Sequence, residues 1–164
     1  MQIGNVPIGS GAPLALIAGL NVIENESDTI ECARALVALA ERHRFPLIFK
    51  ASYDKANRSR VGAFRGPGLD EGLHTLAYVK RELGLPLLTD VHEPAQAKIA
   101  SAIVDCLQVP AYLCRQTDLI VACAKTGLPV NLKKGQFLAP RDAQHAVAKI
   151  EANGAGGAMV TERG

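Results

Sequence analysis

The sequence is short of aromatic residues, of charge of one sign and of long apolar runs. Aromatic side chains make up 4% of its 164 residues and Trp is absent, so it lacks the stacking platforms on which proteins bind single-stranded nucleic acid. A net charge of +2 creates no basic surface. The longest apolar stretch near the start, Leu14–Leu20, is too short to cross a bilayer and follows no basic segment. We therefore expect no nucleic-acid partner and no membrane partner.

Cysteine pairs at the spacing of metal or redox sites are also absent. The four cysteines lie singly in apolar or helical stretches, at Cys32, Cys106, Cys114 and Cys123. This pattern favours reduced thiols in a reducing compartment. We expect a cytoplasmic protein whose cysteines bind no metal.

What the sequence does contain is an alternation of apolar runs with stretches of helical periodicity, typical of βαβ units around a parallel sheet. The runs predict six strands, at Leu14–Leu20, Leu47–Ala51, Leu87–Asp90, Cys106–Val109, Val130–Lys133 and Ala158–Thr161. Five helices fit between them, at Asp28–Arg42, Leu69–Leu83, Pro94–Ile103, Asp118–Lys125 and Pro140–Glu151. No interdomain linker is visible, so residues 1–164 are predicted to form a single domain.

Local signals support these elements. Ser27 precedes the first helix as a candidate N-cap, Thr117 can cap the fourth, and Gly84 follows the second. The segment Met1–Pro13 is rich in Gly and Pro, with alternating Ile and Val residues. It predicts a short hairpin that acts as a lid or plug before the first buried strand.

A polar residue stands at or just beyond the end of each predicted strand. These residues are Asn21, Lys50, Asp90, Gln108, Lys133 and Arg163. One polar residue at a strand end is commonplace, but six in succession indicate a shared site, because the C-terminal ends of parallel strands meet at one edge. Lys50 and Lys133 lie within apolar patterns, where an unpaired ammonium is costly unless an anion accompanies it.

The segment Asp54–Gly68 is a long polar insertion between a strand and its helix. Four cations lie in or beside it, at Lys50, Lys55, Arg58 and Arg60. Arg grips phosphate with two parallel donors, so a phosphorylated ligand is the natural partner. A solvated basic loop is the alternative.

Several of these residues belong to longer strings. The strings are FKASYDKANRS (Phe49–Ser59), RGPG (Arg65–Gly68), TDVHE (Thr89–Glu93), QVPAYLCRQTD (Gln108–Asp118) and NLKKGQF (Asn131–Phe137). From about Leu14 to Gly164 the chain closely resembles the 3-deoxy-D-manno-octulosonate 8-phosphate synthases, also called 2-dehydro-3-deoxyphosphooctonate aldolases. The related heptulosonate synthases share the barrel without these strings.

The resemblance implies an α/β fold, a (β/α)8 TIM barrel with an N-terminal hairpin, of which six strands fall in this chain. We expect the remaining C-terminal strands and helices to be missing and the 164 residues alone to be inactive. The implied reaction condenses phosphoenolpyruvate with D-arabinose 5-phosphate and water, giving the eight-carbon sugar acid phosphate of lipopolysaccharide synthesis and free phosphate. The implied assembly is a homotetramer, with no cofactor.

The resemblance also implies a phosphoenolpyruvate site. Lys133 and Arg163 would hold its phosphate, with Gln108 and the backbone near Ala111 assisting. These residues would fix the anion at the barrel mouth.

Around the reacting carbons, Lys50 and Lys55 would lie near the phosphoenolpyruvate carboxylate. Lys55 is the candidate general acid for the sugar aldehyde. Asp90 would organise Asn57 and the sugar.

For the sugar phosphate, the resemblance implies Arg58 and Ser59 together with Asn57, and Arg115 reaching this phosphate in a neighbouring subunit. Asn21 occupies the position at which the metal-dependent branch of the family has a Cys ligand. Because a neutral amide replaces a thiolate poorly at a transition metal, we predict no metal requirement.

Two features depart from the family or need no role. Gly135 stands where the family usually has Pro, which predicts a more flexible turn. Three of the four histidines, His74, His92 and His145, are predicted to have no special function, with His92 satisfied beside Glu93.

Two other functions remain open. A buried Lys at a strand end, such as Lys133, also suits imine formation in a Schiff-base aldolase. A chain with missing strands could instead be a non-catalytic phosphosugar-binding fragment.

Overall fold

A computed structural model describes all residues from Met1 to Gly164. It contains eight strands, β1 (Gln2–Ile3), β2 (Val6–Pro7), β3 (Leu16–Leu20), β4 (Leu47–Ala51), β5 (Leu87–Asp90), β6 (Cys106–Val109), β7 (Val130–Lys133) and β8 (Ala158–Thr161). It contains five helices, α1 (Glu26–His43), α2 (Leu69–Leu83), α3 (Pro94–Ala100), α4 (Thr117–Ala124) and α5 (Ala143–Glu151).

Strands β3 to β8 form one parallel sheet in chain order. One helix follows each of the first five strands, so the predicted βαβ succession is confirmed, and it is the arrangement of six successive units of a β/α barrel. β3 and β8 form the two edges of this sheet and are partly exposed. Leu16 on β3 and Val160 on β8 are each 40% exposed.

The outer face of the sheet is apolar and carries the helices. Leu47, Phe49, Leu87, Leu107 and Leu132 lie in a core of 27 buried residues that includes the inward faces of all five helices. Burying a side chain of this size contributes about 2 kcal/mol, so this layer supplies most of the hydrophobic stabilisation. None of the five helices is long and apolar enough to cross a membrane.

The opposite face of the sheet is closed at one end by the N-terminal hairpin, as predicted. Ile3 and Val6 of the hairpin pack against Ile48, Leu88 and Cys106 of β4, β5 and β6 in a second buried cluster. These contacts lie at the N-terminal ends of the strands. The C-terminal ends of the same face are left to polar side chains.

Several predicted boundaries need correction. β3 begins two residues later than predicted, because Leu14 is 90% exposed. Asn25, and not Ser27, is the N-cap of α1, and its side chain accepts a hydrogen bond of 2.8 Å from a backbone N–H three residues later. Thr117 is the first residue of α4 and does not cap it, and Pro140 opens a 3-10 turn before α5.

Candidate active site

The C-terminal ends of the strands surround a cavity of about 260 Å³, which we call the mouth cavity. Its lining residues are Lys55, Ala56, Asn57, Asp90, His92, Gln108, Pro110, Ala111, Tyr112, Leu113, Lys133 and Arg163. Seven of these are site residues predicted from the sequence, namely Lys55, Asn57, Asp90, Gln108, Ala111, Lys133 and Arg163. They are distant in sequence and meet because parallel strands end at one edge of the sheet.

Asp90, at the end of β5, is the buried carboxylate of this cavity. Its oxygens lie 3.3 Å from Lys50 Nζ and 3.6 Å from Lys55 Nζ. His92 Nε2 lies 3.5 Å away. Burial opposes ionisation of Asp90, but the hydrogen bond with His92 and the charges of the two lysines outweigh it and hold its pKa well below the usual range. Asp90 is therefore a carboxylate that fixes the cations around it.

Ser52 connects the two lysines to this carboxylate. Lys50 Nζ donates to Ser52 Oγ at 2.6 Å and Lys55 Nζ donates to it at 2.8 Å. The Ser52 hydroxyl in turn donates to Asp90. The sequence reasoning missed Ser52, although its position two residues after Lys50 signals the same side of an extended chain.

The environment of Lys55 makes it a weaker base than an exposed lysine. Burial, with the positive charges of Lys50 and Lys133, lowers its pKa from 10.5 to about 8, although the carboxylate of Asp90 opposes the shift. An ammonium group with this pKa is largely protonated at neutral pH and still acidic enough to donate a proton.

Lys133 and Arg163 extend the positive charge across the cavity. Burial and the charges of Lys50 and Arg163 lower the pKa of Lys133. Lys55, Lys133 and Arg163 line the cavity, and Lys50 lies beside it at 3.3 Å from Asp90, the single carboxylate of the lining. This excess of positive charge in a partly buried space suits an anionic ligand.

Gln108 is oriented by a chain of hydrogen bonds across three strands. Thr161 Oγ1 on β8 donates to Asn131 Oδ1 on β7 at 2.9 Å, and Asn131 Nδ2 donates to Gln108 Oε1 at 3.0 Å. The Gln108 amide nitrogen remains as a donor towards the cavity that this residue lines.

His92 lies in the mouth cavity, which corrects the prediction that it is satisfied beside Glu93. Its ring packs edge-on against Tyr53 at 5.9 Å between centroids. Its Nδ1 is buried and has no hydrogen-bond partner, while its Nε2 faces Asp90. The available signal was its position two residues after the strand-end Asp90.

Of the three sugar phosphate-binding residues predicted in the insertion Asp54–Gly68, only one lines the mouth cavity. Asn57 lines it, whereas Arg58 and Ser59 are exposed and do not. The Nε of Arg58 donates to the Phe64 carbonyl at 3.0 Å, within the loop itself. The loop therefore presents Arg58 and Ser59 to its outer side.

Hydrogen bonds between the two ends of this loop hold its base together. Arg65 Nε donates to Asp54 Oδ1 at 2.7 Å, and this bond lowers the pKa of Asp54. The backbone N–H of Lys55 donates to the Arg65 carbonyl at 2.7 Å. Lys55 is thus fixed by its backbone as well as by its side chain.

Arg115 and Asn21 are the remaining predicted residues, and neither lines the mouth cavity. Arg115 is exposed and lines a separate cavity between α4 and α5, with Thr117, Asp142 and Lys149 among its neighbours. Asn21 is exposed directly after β3. No group of three His, Cys, Asp or Glu side chains is arranged to hold a metal ion.

Gly135 is packed more closely than the prediction of a flexible turn implies. It is buried, and a Cβ added to it would lie 2.6 Å from the ring of Phe137 and 3.0 Å from the Ala111 carbonyl oxygen. The glycine therefore permits close contact between the loops after β6 and β7.

Comparison with known proteins places the chain in a family. Proteins named 2-dehydro-3-deoxyphosphooctonate aldolase match it at 57% identity in Geobacter metallireducens and 53% in Trichlorobacter lovleyi, each over the whole chain. A protein of the same name from Koribacter versatilis is 54% identical over 99% of the chain. These matches confirm the resemblance drawn from the sequence strings.

The chain spans about 60% of the length of these relatives. The family model described as the DAHP synthetase I family matches residues 1–164. The whole of this chain therefore belongs to the DAHP synthetase I family.

Proposed function

We propose that this chain is part of an enzyme that condenses phosphoenolpyruvate with D-arabinose 5-phosphate and water, giving 3-deoxy-D-manno-octulosonate 8-phosphate and phosphate for lipopolysaccharide synthesis. The name shared by its relatives supports this assignment. The observation that carries it is the group of four cations at the mouth cavity, two of which, Lys50 and Lys55, pair with the buried carboxylate of Asp90 while Lys133 and Arg163 line the cavity.

The charge of the substrates fits this set. Phosphoenolpyruvate brings a phosphate and a carboxylate, and the sugar brings a second phosphate. Binding them together requires several fixed cations in one place, because free lysines would lose side-chain entropy on binding. Here the hydrogen bonds of Lys50 and Lys55 to Ser52 already fix two of the cations.

In this proposal Lys133 and Arg163 hold the phosphoenolpyruvate phosphate. The amide nitrogen of Gln108 and the backbone at Ala111 add neutral donors from the next strand end. Lys50, next to Asp90, lies beside the phosphoenolpyruvate carboxylate. The pKa of Lys133 is lowered because its ammonium group is partly buried near other cations. A bound anion would stabilise this charged group, which supports its role in binding phosphate.

The sugar lies on the other side of Asp90. Asn57 supports this position because it lines the mouth cavity. Arg58 and Ser59 bind the sugar phosphate only if the Arg58 guanidinium leaves the Phe64 carbonyl. We propose that the insertion loop reorients when sugar phosphate arrives, so that the Arg58 guanidinium exchanges a hydrogen bond to a neutral carbonyl for one to a phosphate anion.

The reaction then joins two carbons. The methylene carbon of phosphoenolpyruvate attacks the sugar aldehyde, and water adds to the adjacent carbon, from which phosphate later departs. Lys55 donates a proton to the aldehyde oxygen as the new carbon–carbon bond forms, and it regains one from the water that adds. The second proton of that water leaves with the phosphate when the carbon–oxygen bond to phosphate breaks and the ketone forms. Asp90 stabilises the positive charge that develops on the former enol carbon.

The test measures binding and turnover separately. Calorimetry on the 164-residue chain should detect both substrates. The chain spans about 60% of the length of its relatives. Turnover is therefore tested in a fusion, in which this chain replaces the matching part of the Geobacter metallireducens protein and the rest of that protein is kept. Phosphate release should require phosphoenolpyruvate and arabinose 5-phosphate, and erythrose 4-phosphate should support it poorly.

Binding without any release from the fusion would favour the phosphosugar-binding fragment. A faster reaction with erythrose 4-phosphate would favour a heptulosonate synthase and contradict the proposed sugar.

A Schiff-base aldolase is the second candidate, because a lysine with a lowered pKa, Lys133, lies in the cavity. Borohydride should leave the protein unmodified in the presence of pyruvate or another keto acid. A covalent adduct on Lys133, found by peptide mass spectrometry, would favour the aldolase.

We further propose a homotetramer in which Arg115 completes the sugar phosphate site of a neighbouring subunit. Its exposure, away from the mouth cavity of its own chain, supports this role. In the fusion, Arg115→Ala should weaken arabinose 5-phosphate binding without affecting phosphoenolpyruvate. Mixing it with an inactive Lys133→Ala variant should restore activity, and unchanged activity in the mixture would contradict the shared site.

We also propose a cytoplasmic location. All four cysteines are unpaired, and burial raises the pKa of the Cys106 and Cys123 thiols to about 12, which suits structural thiols in a reducing compartment.

A further inference from the structure

Two consecutive lysines end β7 and follow it, and their surroundings differ. Lys133 lines the mouth cavity, whereas the Lys134 side chain is 2% exposed and does not line it. A buried ammonium group costs free energy unless hydrogen-bond acceptors surround it. The acceptors around Lys134 therefore indicate its role.

Lys134 joins two segments that follow neighbouring strands. In the loop after β7, its Nζ donates to the carbonyl oxygens of Gly135 at 3.1 Å and Leu138 at 2.9 Å. In the segment after β8, it donates to a main-chain oxygen of Gly164, the last residue described, at 2.8 Å. The carboxylate of Glu162 lies 3.4 Å away and supplies the opposite charge.

These bonds hold Arg163 from both sides. The Glu162 carboxylate accepts the backbone N–H groups of Arg163 and Gly164, each at 2.9 Å. The backbone N–H of Lys134 donates to the Thr161 carbonyl at 3.0 Å, which continues the ladder of β7 and β8 past the strand ends. The residues before and after Arg163 are thus both bonded to Lys134.

We propose that Lys134 is a positioning residue that sets the separation of Lys133 and Arg163, and with it the fit of the mouth cavity to a phosphate group. The proposal deepens the proposed function and rests on it, because it assigns one phosphate to these two cations. Placement of such donors matters, since an error of about 1 Å in a ligand clamp can cost about 100-fold in rate.

The first test is Lys134→Met, which keeps a long unbranched side chain, one heavy atom shorter, and removes its donors. Calorimetry should give about tenfold weaker phosphoenolpyruvate binding and less than about a twofold change for arabinose 5-phosphate. In the Arg163→Ala background the same change should have little further effect, because the group that Lys134 positions is gone. Equal losses for both substrates, or full additivity with Arg163→Ala, would mean a merely structural role.

A second readout needs no substrate. Amide hydrogen exchange at Arg163 and Gly164 should be at least about tenfold faster in Lys134→Met, while amides within β4 and β5 keep their rates. The control is Lys149→Met, which also removes a lysine hydrogen bond, to Thr117, away from the mouth cavity. Its exchange at Arg163 should equal that of the wild type.

A third variant covers the case in which Lys134→Met does not fold. Glu162→Gln changes an exposed side chain, so the fold should survive, and exchange at Arg163 and Gly164 should still rise. Unchanged exchange in a folded Lys134→Met or in Glu162→Gln refutes the positioning role. Failure of the unmodified chain to bind phosphoenolpyruvate, with exchange altered as expected, refutes the proposed function and leaves the positioning of Arg163 standing.

Discussion

Replacing Lys55 with Met should change how stability depends on pH. The pKa of Lys55 falls from 10.5 to about 8 on folding, chiefly because its ammonium group is buried. The folded state therefore binds this proton less tightly than the unfolded state. Below pH 8 both states carry the proton and folding bears the full cost, about 3 kcal/mol. As the pH rises from about 8 to 10.5 the folded state loses the proton first, and the cost disappears.

The size of the effect follows from these two pKa values. Between pH 7.5 and 9.5 the wild type should gain about 2 kcal/mol of unfolding free energy relative to Lys55→Met. The pKa of Lys133 is also lowered, so Lys133 adds a pH dependence of the same sign to the stability of both proteins. This contribution cancels, to a first approximation, when the two stabilities are subtracted. The difference between the two proteins isolates Lys55.

Urea unfolding followed by circular dichroism at several pH values measures this difference. Lys98→Met, on the exposed surface of α3, controls for the loss of one positive charge and should keep the wild-type dependence. Saturating phosphoenolpyruvate should shrink the effect, because a bound anion favours the protonated amine. Parallel stability curves for wild type and Lys55→Met would refute the reasoning.

Other predictions concern the carboxylate, the strand contact and the absent metal ligand. Asp90→Asn should destabilise the protein by about 3 kcal/mol at pH 7, because Lys50 and Lys55 lose their buried counter-charge, and urea unfolding checks this. Gly19→Ala should cost about 3 kcal/mol or more, since its φ is +149° and a Cβ would meet the Lys50 carbonyl oxygen; thermal unfolding measures it, and a loss below 1 kcal/mol would contradict the contact. Because the resemblance implies that Asn21 occupies the position of a Cys ligand in metal-dependent members, EDTA is predicted to leave phosphate release by the fusion unchanged; loss restored by manganese would contradict this.

The strands were predictable because their patterns were unambiguous. The run Leu47–Phe49 is apolar and buried on both faces, as buried parallel strands are, and Gly84 marked a helix end that the structure confirms in the left-handed conformation. The start of α1 was less certain because Asn25 and Ser27 are both good caps. The choice between them depends on backbone geometry, which the sequence does not specify.

The site was predictable to the extent that it depends on strand ends. Lys50, Asp90 and Lys133 follow from topology alone. Ser52 and Lys134 do not, because each acts through buried contacts between segments far apart in sequence. The spacing of Ser52 from Lys50 indicates a shared side of the chain but not the contact with Asp90, and the second of two lysines carries no pattern that distinguishes it from an exposed residue.

The inner face of the sheet explains why the hairpin and the mouth cavity occur together. Along β4 the side chains on this face run from Ile48 to Lys50 to Ser52, and along β5 from Leu88 to Asp90. Each step is two residues, so all of these side chains share one side of the pleat. The apolar side chains, Ile48 and Leu88, pack against the hairpin, and this packing fixes the position of each strand along its own axis. A register shift of one residue in either strand would move its apolar side chains away from the hairpin. The same shift would move its charged side chains away from the cavity. The hairpin contacts therefore stabilise the register on which the arrangement of the cations depends.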